Sequence, residues 1–175
     1  MVQPQALNVN ALPTAVCWTG GKDCNLALLA AWRDPSLNVV VLVVFRPEDA
    51  QFKAHPLRLI EEQADCLGLP LRHIIIPRDT PSYKEAYISG IGQLGKELGI
   101  RVIATGDMDL VGDMSRNWIE ECAEACVPPI RVFLPLSMAG RSCYVPSEAD
   151  RRAFHGRLLL RQKPVVRPGV DWAHP

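Results

Sequence analysis

Apolar positions follow two rhythms along this chain. Val39 to Phe45 is an almost unbroken apolar, largely β-branched run, the pattern of a strand covered on both faces. Ala15-Val16-Cys17-Trp18, Leu71 to Ile76, Val102 to Thr105 and Arg131 to Leu134 are shorter runs that complete five predicted strands. Between them the spacing turns helical. Asp23 to Trp32 sets Leu26, Leu29 and Ala30 on one side. Pro56 suits the first turn of a second helix, where Leu57, Ile60, Ala64 and Leu67 follow at helical spacing until Gly68. Ser82 to Leu98 forms a third predicted helix, stopped by Gly99, and Ser115 to Ala125 a fourth. Strand alternating with helix predicts a doubly wound α/β fold. Its sheet is mostly parallel and five-stranded, with helices on both faces.

Three segments are expected on this reading. Residues 1–14 read as a polar leader, 15–136 as the α/β domain and 137–175 as a C-terminal extension. The extension carries seven Lys or Arg against three acidic residues, and prolines at 146, 164, 168 and 175. Only Ala153 to Leu160 has helical character there. A basic tail could touch an acidic partner or RNA, but a weakly packed extension is the preferred reading.

Composition narrows the function classes. The chain has 175 residues, enough for one domain with a sizeable core. Its 19 basic and 19 acidic side chains cancel, which argues against a protein that coats nucleic acid. The longest apolar run is too short to span a membrane, and the N-terminus lacks the charged-then-apolar order of a signal peptide. The six cysteines include no C-x-x-C pair, so free thiols in a reducing cytoplasm are expected.

The chemistry concentrates at Thr19-Gly20-Gly21-Lys22-Asp23-Cys24, between the first strand and first helix. A glycine pair after a buried strand lets the backbone turn sharply and approach a ligand. The helix behind it offers unpaired N–H groups and the positive end of its dipole. Lys22 adds a cation and Thr19 a hydroxyl. Asp23 could cap the helix or help hold Mg²⁺. Neither the Gly-x-x-x-x-Gly-Lys-Ser/Thr loop nor Gly-x-Gly-x-x-Gly fits this spacing. The alternative is an ordinary glycine turn, but the whole string at that junction favours a phosphate site, with ATP as ligand.

The string resembles the Ser-Gly-Gly-x-Asp-Ser signature of the PP-loop ATP pyrophosphatases, with Thr19 and Cys24 in place of its two serines. Lys at the fourth position is typical of the branch containing diphthine–ammonia ligase. Phe52-Lys53-Ala54-His55-Pro56 with Gln63-Ala64 and Leu67-Gly68-Leu69-Pro70 looks like that branch's second block. Gly99-Ile100 through Thr105-Gly106-Asp107-Met108-Asp109 resembles its fourth-strand block. Trp118, Glu121, Cys122 and Leu134-Pro135-Leu136 resemble the next. The chain after Leu136 does not resemble the family's continuation.

The resemblance implies a fold of the HUP/PP-loop type and an ATP-dependent amide ligase. A carboxylate would attack the α-phosphorus of ATP, pyrophosphate would leave, and ammonia would displace AMP. The implied acceptor is diphthine on translation elongation factor 2. Lys22, Asp23 and Asp107 are the implied catalytic residues. Thr19, Gly20, Gly21, Lys22, Asp23, Cys24 and Gly106 would bind nucleotide, and Asp23 would meet Mg²⁺. His55, Arg116 and Trp118 would bind substrate. From the residues alone each stays open: Asp107 could be a turn aspartate, His55 a capping histidine, Arg116 a solvated helix start and Trp118 core or pocket wall. Asp109 and Asp113 carry no assigned role. Cys122 and Cys126 share a helix face without further metal ligands. Two other functions remain in play: a tRNA-thiolating PP-loop enzyme that uses a cysteine, and a nucleotide-binding protein with weakened catalysis.

Overall fold

The computed structural model describes residues 10–48, 56–107 and 116–135. Nine elements alternate in chain order: β1 (Leu12–Cys17), α1 (Lys22–Arg33), β2 (Leu37–Pro47), α2 (Leu57–Leu67), β3 (Leu71–Ile76), α3 (Tyr83–Leu98), β4 (Val102–Ala104), α4 (Trp118–Glu124) and β5 (Arg131–Phe133). The sheet has the order β3-β2-β1-β4-β5, and every neighbouring pair is parallel. The fold is therefore α/β of the HUP/PP-loop type.

Strand alternation sorts the core into two layers. Val16, Leu42, Val102 and Ala104 pack with Leu28 and Ala31 of α1 and Ile60 and Ala64 of α2. Their sequence neighbours face the other way. Ala15, Val41 and Val43 meet Leu94 of α3, while Ile103 packs with Ile91 of α3 and Ile119 and Cys122 of α4. Both faces are dry, which explains why β2 reads as a continuous apolar run.

Helix ends follow local chemistry. Ser82 caps α3 by accepting from the Glu85 N–H at 3.2 Å. Gly68 and Gly99 end α2 and α3 in the left-handed conformation. Several expected boundaries move, β2 gaining two residues at each end to run from Leu37 to Pro47. β1 starts at Leu12, inside the segment read as a leader, because its backbone pairs with β2 from Leu37 onward. Trp18 lies beyond β1 but is 1% exposed. Ser115 lies outside the described residues, and α4 starts at Trp118, after Asn117.

The sheet order fixes where a ligand can sit. The chain leaves β1 toward β2 on one side, and β4 lies on the other. That reversal opens a crevice beyond the carboxyl ends of β1 and β4, where open α/β sheets take ligands. No helix among the described residues is long and apolar enough to cross a membrane.

Candidate functional site

The loop after β1 and the loop after β4 meet in this crevice. Cys17, Thr19, Asp23, Cys24, Thr105, Gly106 and Asp107 line a cavity of about 210 Å³. Sites for whole small molecules run to about 300–1,000 Å³, so this compartment matches a phosphate group better than an entire nucleotide. A larger cavity of about 730 Å³ lies along edge strand β5, between Arg33 and Asp34 at the end of α1 and Glu120 and Glu124 of α4. It adjoins the negative end of the α1 dipole, and Arg33 and Arg131 line it together with Asp34, Glu120 and Glu124.

Helix α1 brings its amino end to the smaller cavity. Its N-cap is Gly21, whose lack of a side chain leaves the first-turn N–H groups without a side-chain acceptor. The Gly21 carbonyl is heavily engaged instead. It accepts from Asn25 Nδ2 at 2.6 Å, the Cys24 thiol at 3.0 Å and the Asn25 N–H at 3.2 Å. These bonds fix the turn, and the backbone N–H groups of Thr19, Gly20 and Gly21 lie on the side of the Cys24 sulfur. Thr19 Oγ1 lies 3.9 Å from Cys24 Sγ, so the loop's two ends touch.

Gly106 sets the approach of the second loop. A Cβ there would fall 2.3 Å from the Asp23 carbonyl and 2.7 Å from the Cys24 nitrogen. Only glycine lets the β4 loop close against the first turn of α1. Thr105 then locks Asp107. Its hydroxyl donates to Asp107 Oδ2 at 2.9 Å and accepts from the Asp107 N–H at 3.2 Å. Thr105 is buried, and sequence reasoning gave it no role; a hydroxyl two residues before an aspartate was the available signal.

Lys22 stands at the rim. Its ammonium bonds both Asp23 carboxylate oxygens, at 2.9 and 3.0 Å, with a side chain 84% exposed. Such a surface pair is weak and easily exchanged for a ligand. Among the described residues, no group of three or more His, Cys, Asp or Glu is placed to hold a metal. Asp23 and Asp107 do share the cavity wall.

The substrate-binding candidates scatter. His55 lies outside the described residues, as do Asp109 and Asp113. Arg116 does not line the cavity; its guanidinium pairs with Glu124 at 2.6 Å. Trp118 also lies off the cavity and meets Tyr87 edge-on at 5.9 Å, while Tyr87 stacks on Phe45 at 4.4 Å. Tyr87 was missed by the sequence reading. Burial pushes its phenol up to about 12, helped by the nearby Cys17 and Asp107. Phe45, Tyr87 and Trp118 pack against the same core cluster as the cavity residue Cys17.

Burial makes Cys17, Cys24, Cys122 and Cys126 poor nucleophiles. Burial raises Cys17 strongly, with the Asp107 carboxylate adding to it. Burial also raises Cys24, Cys126 and Cys122, the last to about 11. A thiol needs to ionise before it attacks.

The diphthamide synthase N-terminal domain profile matches residues 12–127. No curated protein is significantly similar to the chain. Among solved structures, one similar chain is described as a predicted subunit of tRNA methyltransferase from Methanocaldococcus jannaschii. It is 18% identical with a TM-score of 0.44, over 83% of this chain and 76% of that one, too distant to bear on function. The profile spans well over half of the sequence, so the chain belongs to the diphthamide synthase N-terminal domain family, of the PP-loop type.

Proposed function

We propose that this member of the diphthamide synthase N-terminal domain family is an ATP-dependent amide ligase that works at the α-phosphorus of ATP. The observation that carries the reading is the uncapped amino end of α1, opening into a phosphate-sized cavity closed by Gly106 and Asp107. Thr19, Gly20, Gly21 and Lys22 would cradle the departing pyrophosphate, with backbone N–H groups supplying most donors. Cys24 turns its thiol inward to the Gly21 carbonyl and so contributes its N–H rather than its side chain.

Two carboxylates in a phosphate compartment call for a cation. Asp23 and Asp107 would share Mg²⁺ with phosphate oxygens, an arrangement that needs no full protein cage. The bound ion would neutralise charge on the polyphosphate. Positioning does the rest: the acceptor carboxylate attacks the α-phosphorus, pyrophosphate leaves, and ammonia displaces AMP to give an amide. The family points to diphthine on elongation factor 2 as the acceptor, in the cytoplasm. Trp118, Arg116 and His55 would meet it. Sulfur transfer gains nothing from Cys17, Cys24, Cys122 or Cys126, whose thiols stay protonated near neutral pH.

The test is pyrophosphate release from ATP in the presence of Mg²⁺, diphthine-bearing elongation factor 2 and ammonium. Joint Lys22→Ala and Asp23→Ala substitution should reduce it by about 100-fold or more, the scale of losing charge-stabilising donors. Release that survives the pair removes the loop from the reaction. Tight ATP binding with no release in the unmodified chain selects the nucleotide-binding alternative.

A further inference from the structure

Two successive glycines leave the peptide between them free to turn over, since neither carries a Cβ to oppose it. That peptide is planar and trans, so the Gly20 carbonyl and the Gly21 N–H point to opposite sides. The side that takes the carbonyl therefore decides where the N–H aims. Here α2 takes the carbonyl. Gln63 Nε2 donates to Gly20 O at 3.4 Å, across 43 residues of chain. The Gly21 N–H is thereby turned away from Gln63.

The orientation of the glutamine amide follows from the same contact. With Oε1 and Nε2 exchanged, two acceptors would face each other, because a carbonyl can only accept. Oε1 is thus left buried with no hydrogen-bond partner among the described residues. It presses so closely on the loop that a Cβ on Gly20 would lie 2.5 Å from it. A buried unpaired oxygen opposes folding, and an apolar side chain at 63 would avoid it. Ile60, Ala64 and Leu67 on the same helix are apolar and buried, so α2 does not need an amide for packing.

We infer that Gln63 is a positioning residue of the phosphate loop: it holds the Gly20–Gly21 peptide with its N–H on the side of Cys24 and the cavity, where an anion can take it, and leaves its own oxygen unpaired to do so. The inference rests on the anion-binding reading of the loop given above. Gln63 acts through its bond to the Gly20 carbonyl and takes no part in bond making.

The test compares the full chain with Gln63→Met and Gln63→Glu, all ¹⁵N-labelled, by titration with magnesium pyrophosphate. Methionine keeps the length and removes both polar groups. Its thermal midpoint should stay level or rise, while the pyrophosphate dissociation constant rises about 5- to 30-fold. The Gly21 amide resonance, which should move on binding in the unmodified chain, should move less in Gln63→Met. Glutamate cannot donate at neutral pH and adds a negative charge, so its loss of affinity should be larger. Gln63→Met binding pyrophosphate as tightly as the unmodified chain overturns the inference and leaves the site standing. So does an affinity loss matched by a lowered thermal midpoint, which marks a purely structural role. A folded unmodified chain that binds neither pyrophosphate nor ATP removes the site reading itself, and this inference with it.

Discussion

Gly106 carries as much of the site as any charged residue. It is the point where two loops distant in sequence touch through backbone. Gly106→Ala would press a methyl into the Asp23 carbonyl and the Cys24 nitrogen, neither of which can rotate aside. The expected cost is about 1–3 kcal/mol of stability, typical of overpacking. Nucleotide binding should fall further than stability does, because the displaced atoms belong to the first turn of α1. Denaturant unfolding and ATP titration of the same variant check both. The charged candidates differ in kind. Lys22 and Asp23 already bind each other, so their readiness for ligand reflects how little that exposed pair holds them.

Among the elements, α4 is the shortest helix and depends most on its cap. Asn117 is buried, and its side-chain oxygen accepts from the N–H groups of Ile119 at 2.9 Å and Glu120 at 3.3 Å. Asn117→Ala should cost about 1 kcal/mol, read as a lowered thermal midpoint. Trp118, directly after the cap, should lose its fixed edge-on contact with Tyr87, visible in near-ultraviolet circular dichroism. The sequence did not reveal this cap, since its pattern starts the helix at Ser115; other elements were more legible. β3 was predicted residue for residue, because glycine and proline bracket an apolar run. Ser82 and Gly99 announced both ends of α3. The start of β1 was hidden, since Leu12, Pro13 and Thr14 alternate too weakly to advertise a strand whose pairing with β2 decides the matter. The loop was readable because glycines, a cation and a carboxylate sit together in the chain. Gln63 and Thr105 were not, because spacing does not reveal the bond of Gln63 to the Gly20 carbonyl or those of Thr105 to the Asp107 carboxylate and N–H.

At the scale of the whole molecule, burial in the layer between the sheet and helices α3 and α4 makes stability sensitive to alkali. Cys122 titrates at about 11 against an ordinary 9.0, and Tyr87 at about 12 against 10.0, both chiefly through burial. Cys17 is raised for the same reason. Each group holds its proton more tightly folded than unfolded. Its contribution is complete below the unfolded value and is lost as pH climbs toward the folded one. The thermal midpoint should therefore hold near neutrality and fall progressively above about pH 9, with Tyr87 adding to the loss above about 10. Calorimetry across that range checks the direction. Cys122→Ala should flatten the fall.

The strand order has a consequence in time as well as in space. β1 and its glycine loop are made first, yet β1 is the middle strand and needs β4 on its free side. During synthesis the chain can pair β1 with β2 early, while Gly106 and Asp107 are still unmade. The cradle is closed only several seconds later at ordinary elongation rates. A nascent chain halted before Thr105 would display the complete loop signature and still have no closed compartment, so the cavity is completed late, when the fourth strand slots in.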